Sequence, residues 1–222
     1  MISIACSGFP IPVSRYFQEF DAVEIADTEL GLPGAGTLRR WLREAPDGFV
    51  FSVVAPKQIA GANFSLDPET KQAVSAVASF AKELKSCAVV FAATEAFEPS
   101  RANRTRLAAF AEHVEGKIER PVFDLPSWTR KEALSALKSR AVHLAFDPLQ
   151  EAPDSGDFAY ARMAGPSGYR SRYDAPALDR VAEQCRVSAA KHTFVAFRNI
   201  DRYDNSKYVI GKVTRPFTRA AR

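Results

Sequence analysis

The sequence predicts an α/β fold of eight short parallel strands, and three observations carry that prediction. Short apolar runs alternate with amphipathic stretches from one end of the 222 residues to the other, as repeated βα units require. The runs are short and mostly aliphatic or aromatic, as strands buried on both faces should be. The length suits one α/β domain spanning residues 1–222, with no low-complexity tract to set aside as a linker.

The eight strands are read at Ile2–Cys6, Ala22–Ile25, Phe49–Val54, Ala88–Ala92, Pro121–Phe123, Val142–Phe146, Phe158–Met163 and Thr193–Phe197. The fifth has the weakest pattern. Helices are read at Pro68–Lys85, where Asp67 caps and Pro68 takes the first helical position, and at Ser100–Glu115, which Gly116 ends. Thr37–Arg43, Thr129–Ser139 and Ala175–Val187 carry apolar residues at helical spacing; Leu38, Trp41 and Leu42 form one stripe, and Leu134 and Leu137 another. The segment from Asp147 to Asp157 holds two prolines and a glycine, which leaves only a reduced crossover between strands six and seven. Eight such units either close as a compact TIM (β/α)₈ barrel or lie open as a doubly wound sheet. No GxGxxG follows the first strand, which weakens the open, dinucleotide-binding alternative and favours the barrel.

Composition narrows the setting. Met1 to Cys6 is apolar but lacks a basic leader and runs into Ser7, Gly8 and two prolines, unlike a secretory signal. No stretch reaches membrane-spanning length. Three cysteines, far apart and odd in number, argue against a disulfide framework and for a cytoplasmic protein. The net charge of +4 is segregated: residues 158–222 hold 13 Lys and Arg against 5 Asp and Glu, while the rest of the chain is acidic on balance. A basic last third attracts phosphates and other anions, or is simply a solvated face.

A set of ordered motifs resembles the YecE-like family, the domain of unknown function 72 (DUF72). Cys6-Ser7-Gly8-Phe9 is similar to its opening strand-to-turn segment, and Ala22-Val23-Glu24-Ile25 followed by Leu32-Pro33, Thr37 and Trp41 is similar to its second block. Phe49 to Lys57 resembles its third-strand signature, Pro126-Ser127-Trp128 its Pro-Ser-Trp, and Tyr160 to Gly165 its Tyr-x-Arg-x-x-Gly. Tyr173 and Phe197-Arg198-Asn199 complete the order across nearly the whole chain. The resemblance implies a TIM barrel without an established activity, and it adds Lys57 and Trp128 to the ligand-binding candidates. The departures fall on polar positions of the family pattern. Val54 stands where the family has Lys; Ala92 and Thr94 replace its Gln-x-Pro; Val122, Asp124 and Leu125 replace its Glu-x-Arg-His; and Ala164 replaces a His. The chain resembles a remote member.

In a TIM barrel the site lies at the C-terminal ends of the strands, and phosphate is often held by the loops after strands seven and eight. Those loops are the basic ones here. Tyr169, Arg170, Arg172 and Tyr173 follow strand seven, and Arg198, Asn199 and Arg202 follow strand eight. Arginine forks suit phosphate or carboxylate oxygens, although surface pairing with Asp174, Asp201 and Asp204 is the competing reading. Glu24, inside an apolar strand, is the acid/base candidate, and strand alternation puts it in the barrel interior beside Arg162, where a structural ion pair is the equal alternative. Asp124 and Asp147 are possible second carboxylates, and Asp147 before a proline is equally a turn former. His143 could face Glu24 across the barrel, and Cys6 could reach the site mouth, although both read more simply as interior residues. The three histidines lack metal-ligand spacing, so no metal and no cofactor are expected.

Three functions fit. In the first, a small anionic or phosphorylated molecule is gripped by Arg162, Arg170 and Arg172, with Glu24 as acid/base. In the second, the basic third binds nucleic acid, with Tyr169, Tyr173 and Tyr203 stacking on bases. In the third, a barrel that lost its catalytic groups acts as an interaction scaffold. The first requires Arg162, Arg170, Arg172, Arg198 and Arg202 to converge on one concave mouth, which is the expected arrangement.

Overall fold

The computed structural model describes residues 1–138, 141–152 and 155–214. Eight parallel strands close into a barrel in sequence order: β1 (Ile2–Ser7), β2 (Ala22–Ile25), β3 (Val50–Val54), β4 (Ala88–Ala92), β5 (Pro121–Asp124), β6 (His143–Phe146), β7 (Gly156–Met163) and β8 (Ala190–Phe197). Closure comes from β1 pairing with β8, Ile2 to Cys6 lying beside Thr193 to Phe197. The open-sheet alternative is thereby excluded. β3 starts one residue later than the sequence implies, while β7 and β8 each start earlier, because strong pairing between those two carries the ladder back to Gly156 and Ala190.

The helices are α1 (Val13–Glu19), α2 (Ala35–Glu44), α3 (Lys57–Gly61), α4 (Pro68–Leu84), α5 (Arg101–Val114), α6 (Arg130–Leu137), α7 (Ala175–Val187) and α8 (Arg202–Val213). The Asp67 and Ser100 side chains cap α4 and α5, and Thr129 forms a capping box with Glu132 at the start of α6. Ser139, the expected end of α6, lies outside the described residues. No helix joins β6 to β7 among the described residues. Asp147 makes the turn there, its Oδ1 accepting from Leu149 N at 2.9 Å.

Three helices escaped the sequence reading. α1 and α3 are too short for a helical period to register. α8 buries Asn205 and Ser206 beside Val209, and a polar buried face has no hydrophobic signature.

The barrel interior explains its own composition. Ala5, Ala22, Ala88 and Ala196 leave space that Phe158, Tyr160 and Phe194 fill, the last two stacked at 4.8 Å. Phe158, Tyr160 and Arg162 alternate along β7, so its inward face runs from apolar at the N-terminal end to charged at the C-terminal end. The lower end holds His143 and His192 against Phe158, with Ser3 Oγ 2.9 Å from His192 Nε2. His143 therefore does not face Glu24: it opens β6 at the opposite end of the barrel. No helix among the described residues is long and apolar enough to cross a membrane.

Candidate functional site

Glu24 is fully buried, and strand alternation turns it into the barrel as expected. Its carboxylate accepts four hydrogen bonds: Ser7 Oγ at 2.6 Å, the Tyr160 hydroxyl at 2.9 Å, Arg162 Nε at 2.9 Å and Arg162 Nη2 at 3.0 Å. Burial alone would raise its pKa, but Arg162, Arg198 and the hydrogen bonds outweigh it, and the net shift is downward. Arg162 is also buried; burial opposes its charge, and Glu24 and Asp124 hold the guanidinium protonated. Tyr160, pushed well above the usual phenol range by burial and by the Glu24 charge, stays a donor and lies 2.8 Å from Ser52 Oγ. A carboxylate so saturated is a weak base. The geometry makes Glu24 an anchor for Arg162.

Asp124 ends β5 and retains 23% side-chain exposure. Arg162 Nη1 donates to its Oδ2 at 2.6 Å, and Arg198 Nη1 stands 3.7 Å from the same oxygen. Both arginine contacts fall on one oxygen. The chain Glu24, Arg162, Asp124, Arg198 thus climbs from the sealed interior to the surface at the C-terminal ends of the strands, and its four charges balance.

Two clefts flank this chain. One, of about 160 Å³, is lined by Asp124, Trp128, Arg130, Asp147, Glu151 and Arg162. The other, of about 330 Å³, lies over β8, β1 and β2 and is lined by Ser7, Gly8, Asp27, Glu29, Tyr169, Arg198 and Arg202. Gly8 holds a positive φ of 72° and donates its N–H to the Glu24 carbonyl, which turns the chain sharply at the cleft floor. Arg202 Nε is buried without a hydrogen-bond partner.

The remaining candidates separate. Tyr169 is exposed and lines the larger cleft. Trp128 is nearly buried, stacked on Phe97, with its indole N–H donating to the Phe97 carbonyl. Arg170 is exposed and lines neither cleft, and Arg172, 75% exposed, faces Asp201 at 3.4 Å. The five-arginine convergence is therefore corrected to two, Arg198 and Arg202, which share one cleft, with Arg162 in the neighbouring one; the loop after β7 folds on itself and carries Arg170 and Arg172 outward. Tyr173 and Asn199 are interior struts: the Tyr173 hydroxyl accepts from Gly165 N, burial pushes its pKa up to about 12, and Asn199 joins the Ser171 carbonyl to Asn205. Lys57 is exposed at the start of α3, outside both clefts. Cys6 is sealed in, its thiol pushed up to about 11 by burial, and does not open on the mouth. Among the described residues no three His, Cys, Asp or Glu side chains gather as a metal site requires.

Sequence reasoning missed Ser7 and Tyr160 as partners of Glu24, and Ser52 as the partner of Tyr160. The signal was present, since Tyr160 shares a strand face with Arg162, and Ser52 interrupts an otherwise aliphatic inward row. It also missed Asp27 and Glu29, which belong to the 3₁₀ turn Asp27–Glu29 after β2.

The family model described as "Protein of unknown function DUF72" matches residues 12–211. Among curated proteins no relative matches. Solved structures with a similar fold include a DUF72 protein from Enterococcus faecalis (TM-score 0.79, 14% identity, 98% of this chain and 97% of that one). Another is a DUF72 protein from Thermotoga maritima (TM-score 0.76, 18% identity, 97% and 100%). A more distant barrel is D-psicose 3-epimerase from Clostridium cellulolyticum (TM-score 0.59, 11% identity, 96% and 95%). At these identities the likeness establishes the fold.

Proposed function

This chain belongs to the DUF72 family, and from that premise we propose that it binds a small anionic or phosphorylated molecule in the cleft over β8, β1 and β2. One observation carries the reading. Arg198 and Arg202 line the same cavity of about 330 Å³ while neither is fully engaged: Arg198 stands 3.7 Å from Asp124, and Arg202 makes no ion pair among the described residues. Two guanidinium groups without close carboxylate partners leave charge for an anion that enters the cleft to neutralise. Arginine forks also match the oxygen spacing of phosphate and carboxylate. Asp124, which holds Arg162 and Arg198 on its Oδ2, lines the neighbouring cleft, so the reading is one of binding and gives it the part of orienting Arg198.

The test is calorimetric titration of the protein with a panel of sugar phosphates and phosphorylated carboxylates. Arg198→Ala and Arg202→Ala each lose most of the binding seen in the wild type, whereas Arg170→Ala and Arg172→Ala keep it. Binding that survives loss of Arg198 and Arg202, or that vanishes in the Arg170 and Arg172 variants, overturns the assignment.

A further inference from the structure

The proposed anion cleft is lined by charges of both signs. Arg198 follows β8 and Arg202 begins α8, while Asp27 and Glu29 belong to the turn after β2. The two pairs do not meet. The carboxylate that Arg198 meets in an ion pair is Asp124, which lines the neighbouring cleft, and Arg202 makes no ion pair among the described residues. Asp27 and Glu29 make no side-chain hydrogen bond or ion pair among the described residues. In barrel order β8, β1 and β2 are neighbours, so two strand spacings of about 4.8 Å put the cationic and acidic walls on the order of 10 Å apart.

Opposite charges held apart across a concave mouth set up a field directed from one wall to the other, and a cleft with low-dielectric walls concentrates it. A simple anion satisfies only the arginine side and brings its negative charge toward two carboxylates. A molecule bearing an anion at one end and a cation at the other aligns with the field and engages both walls. We infer that the ligand of this cleft is a zwitterion, an amine-bearing phosphate or carboxylate whose anion meets Arg198 and Arg202 and whose ammonium meets Asp27 and Glu29. The inference rests on the anion reading above and assigns the second half of the same site. Tyr169, exposed at the rim, offers a face over which the body of the ligand lies.

The experiment pairs probes that differ only in the ammonium group: glucosamine 6-phosphate against glucose 6-phosphate, and phosphoethanolamine against ethyl phosphate. In the wild type the amine member of a pair binds about tenfold more tightly. In the double variant Asp27→Asn, Glu29→Gln the two members of each pair become equal, with the melting temperature of the free protein unchanged because neither side chain makes a hydrogen bond or ion pair among the described residues. If the amine-free members bind as tightly as the amines and Arg198→Ala weakens both, the zwitterion inference falls and the anion reading stands. If no probe binds below about 1 mM, both fall together.

Discussion

Glu24 has its charge fixed by its surroundings, and this sets a test at the level of one residue. Four donors hold a carboxylate that water does not reach. Removing one partner of such a pair leaves the other charge buried and uncompensated, so Glu24→Gln is expected to cost about 3–5 kcal/mol in a urea titration at neutral pH. The pH dependence follows from the lowered pKa. Below the unfolded value of 4.5 the unfolded chain takes up the proton before the folded one does. The stabilisation is therefore complete above about pH 4.5 and is lost as pH falls through the folded pKa, and the gap between wild type and Glu24→Gln narrows over that range. A gap that stays constant down to pH 3 would contradict the ion-pair account. The sequence already placed Glu24 inward beside a cation, because an apolar strand leaves a carboxylate no other resolution. How fully its carboxylate is satisfied was not legible, since that depends on three residues, Ser7, Tyr160 and Arg162, drawn from β1 and β7, which sequence distance hides.

At the scale of the element, the loop between β7 and α7 decides which arginines reach the mouth. Gly165 holds a positive φ of 104°, and a Cβ there would stand 2.3 Å from the Gly168 carbonyl oxygen. The loop is therefore folded tightly on itself: Ser171 Oγ accepts from Ser167 N at 2.9 Å, and the Tyr173 hydroxyl accepts from Gly165 N at 2.8 Å. Gly165→Ala combines backbone strain with a clash against backbone, and it is expected to destabilise the protein by about 2 kcal/mol or more, read as a lower urea midpoint. An unchanged midpoint would mean that the loop has another conformation. Strand order and the missing β6–β7 helix were readable from periodicity and proline spacing, which are local properties. The outward turn of Arg170 and Arg172 was not, because it follows from Gly165 packing against Gly168, and the sequence shows only two glycines that could equally have cradled an anion.

Across the whole molecule, the basic last third is not one surface. Arg162, Arg198 and Arg202 lie at the C-terminal mouth, and Lys191 lies at the other end of the barrel, paired with Asp157 at 2.7 Å. Arg186 and Lys212 sit on the outer helices, paired with Glu183 and Asp179. Folding has dispersed a block of charge that was contiguous in sequence, and Arg215, Arg219 and Arg222 lie outside the described residues. A duplex needs several cations along one track to release counterions together, and tight binding by this means draws on roughly 6–10 phosphate contacts. Three arginines divided between two neighbouring clefts, one of them buried against two carboxylates, supply far fewer. A 20-base-pair duplex at about 0.15 M salt is therefore expected to bind no better than roughly 1 µM, the stronger end of the range typical of non-specific association. Removing residues 215–222 should leave the binding of a small phosphate ester unchanged, since every residue of the proposed cleft lies before them. Fluorescence anisotropy with labelled duplex checks the first expectation, and calorimetry on the shortened chain checks the second. Submicromolar duplex binding that disappears with those eight residues would move the function from the cleft to the terminal segment and restore the nucleic-acid reading.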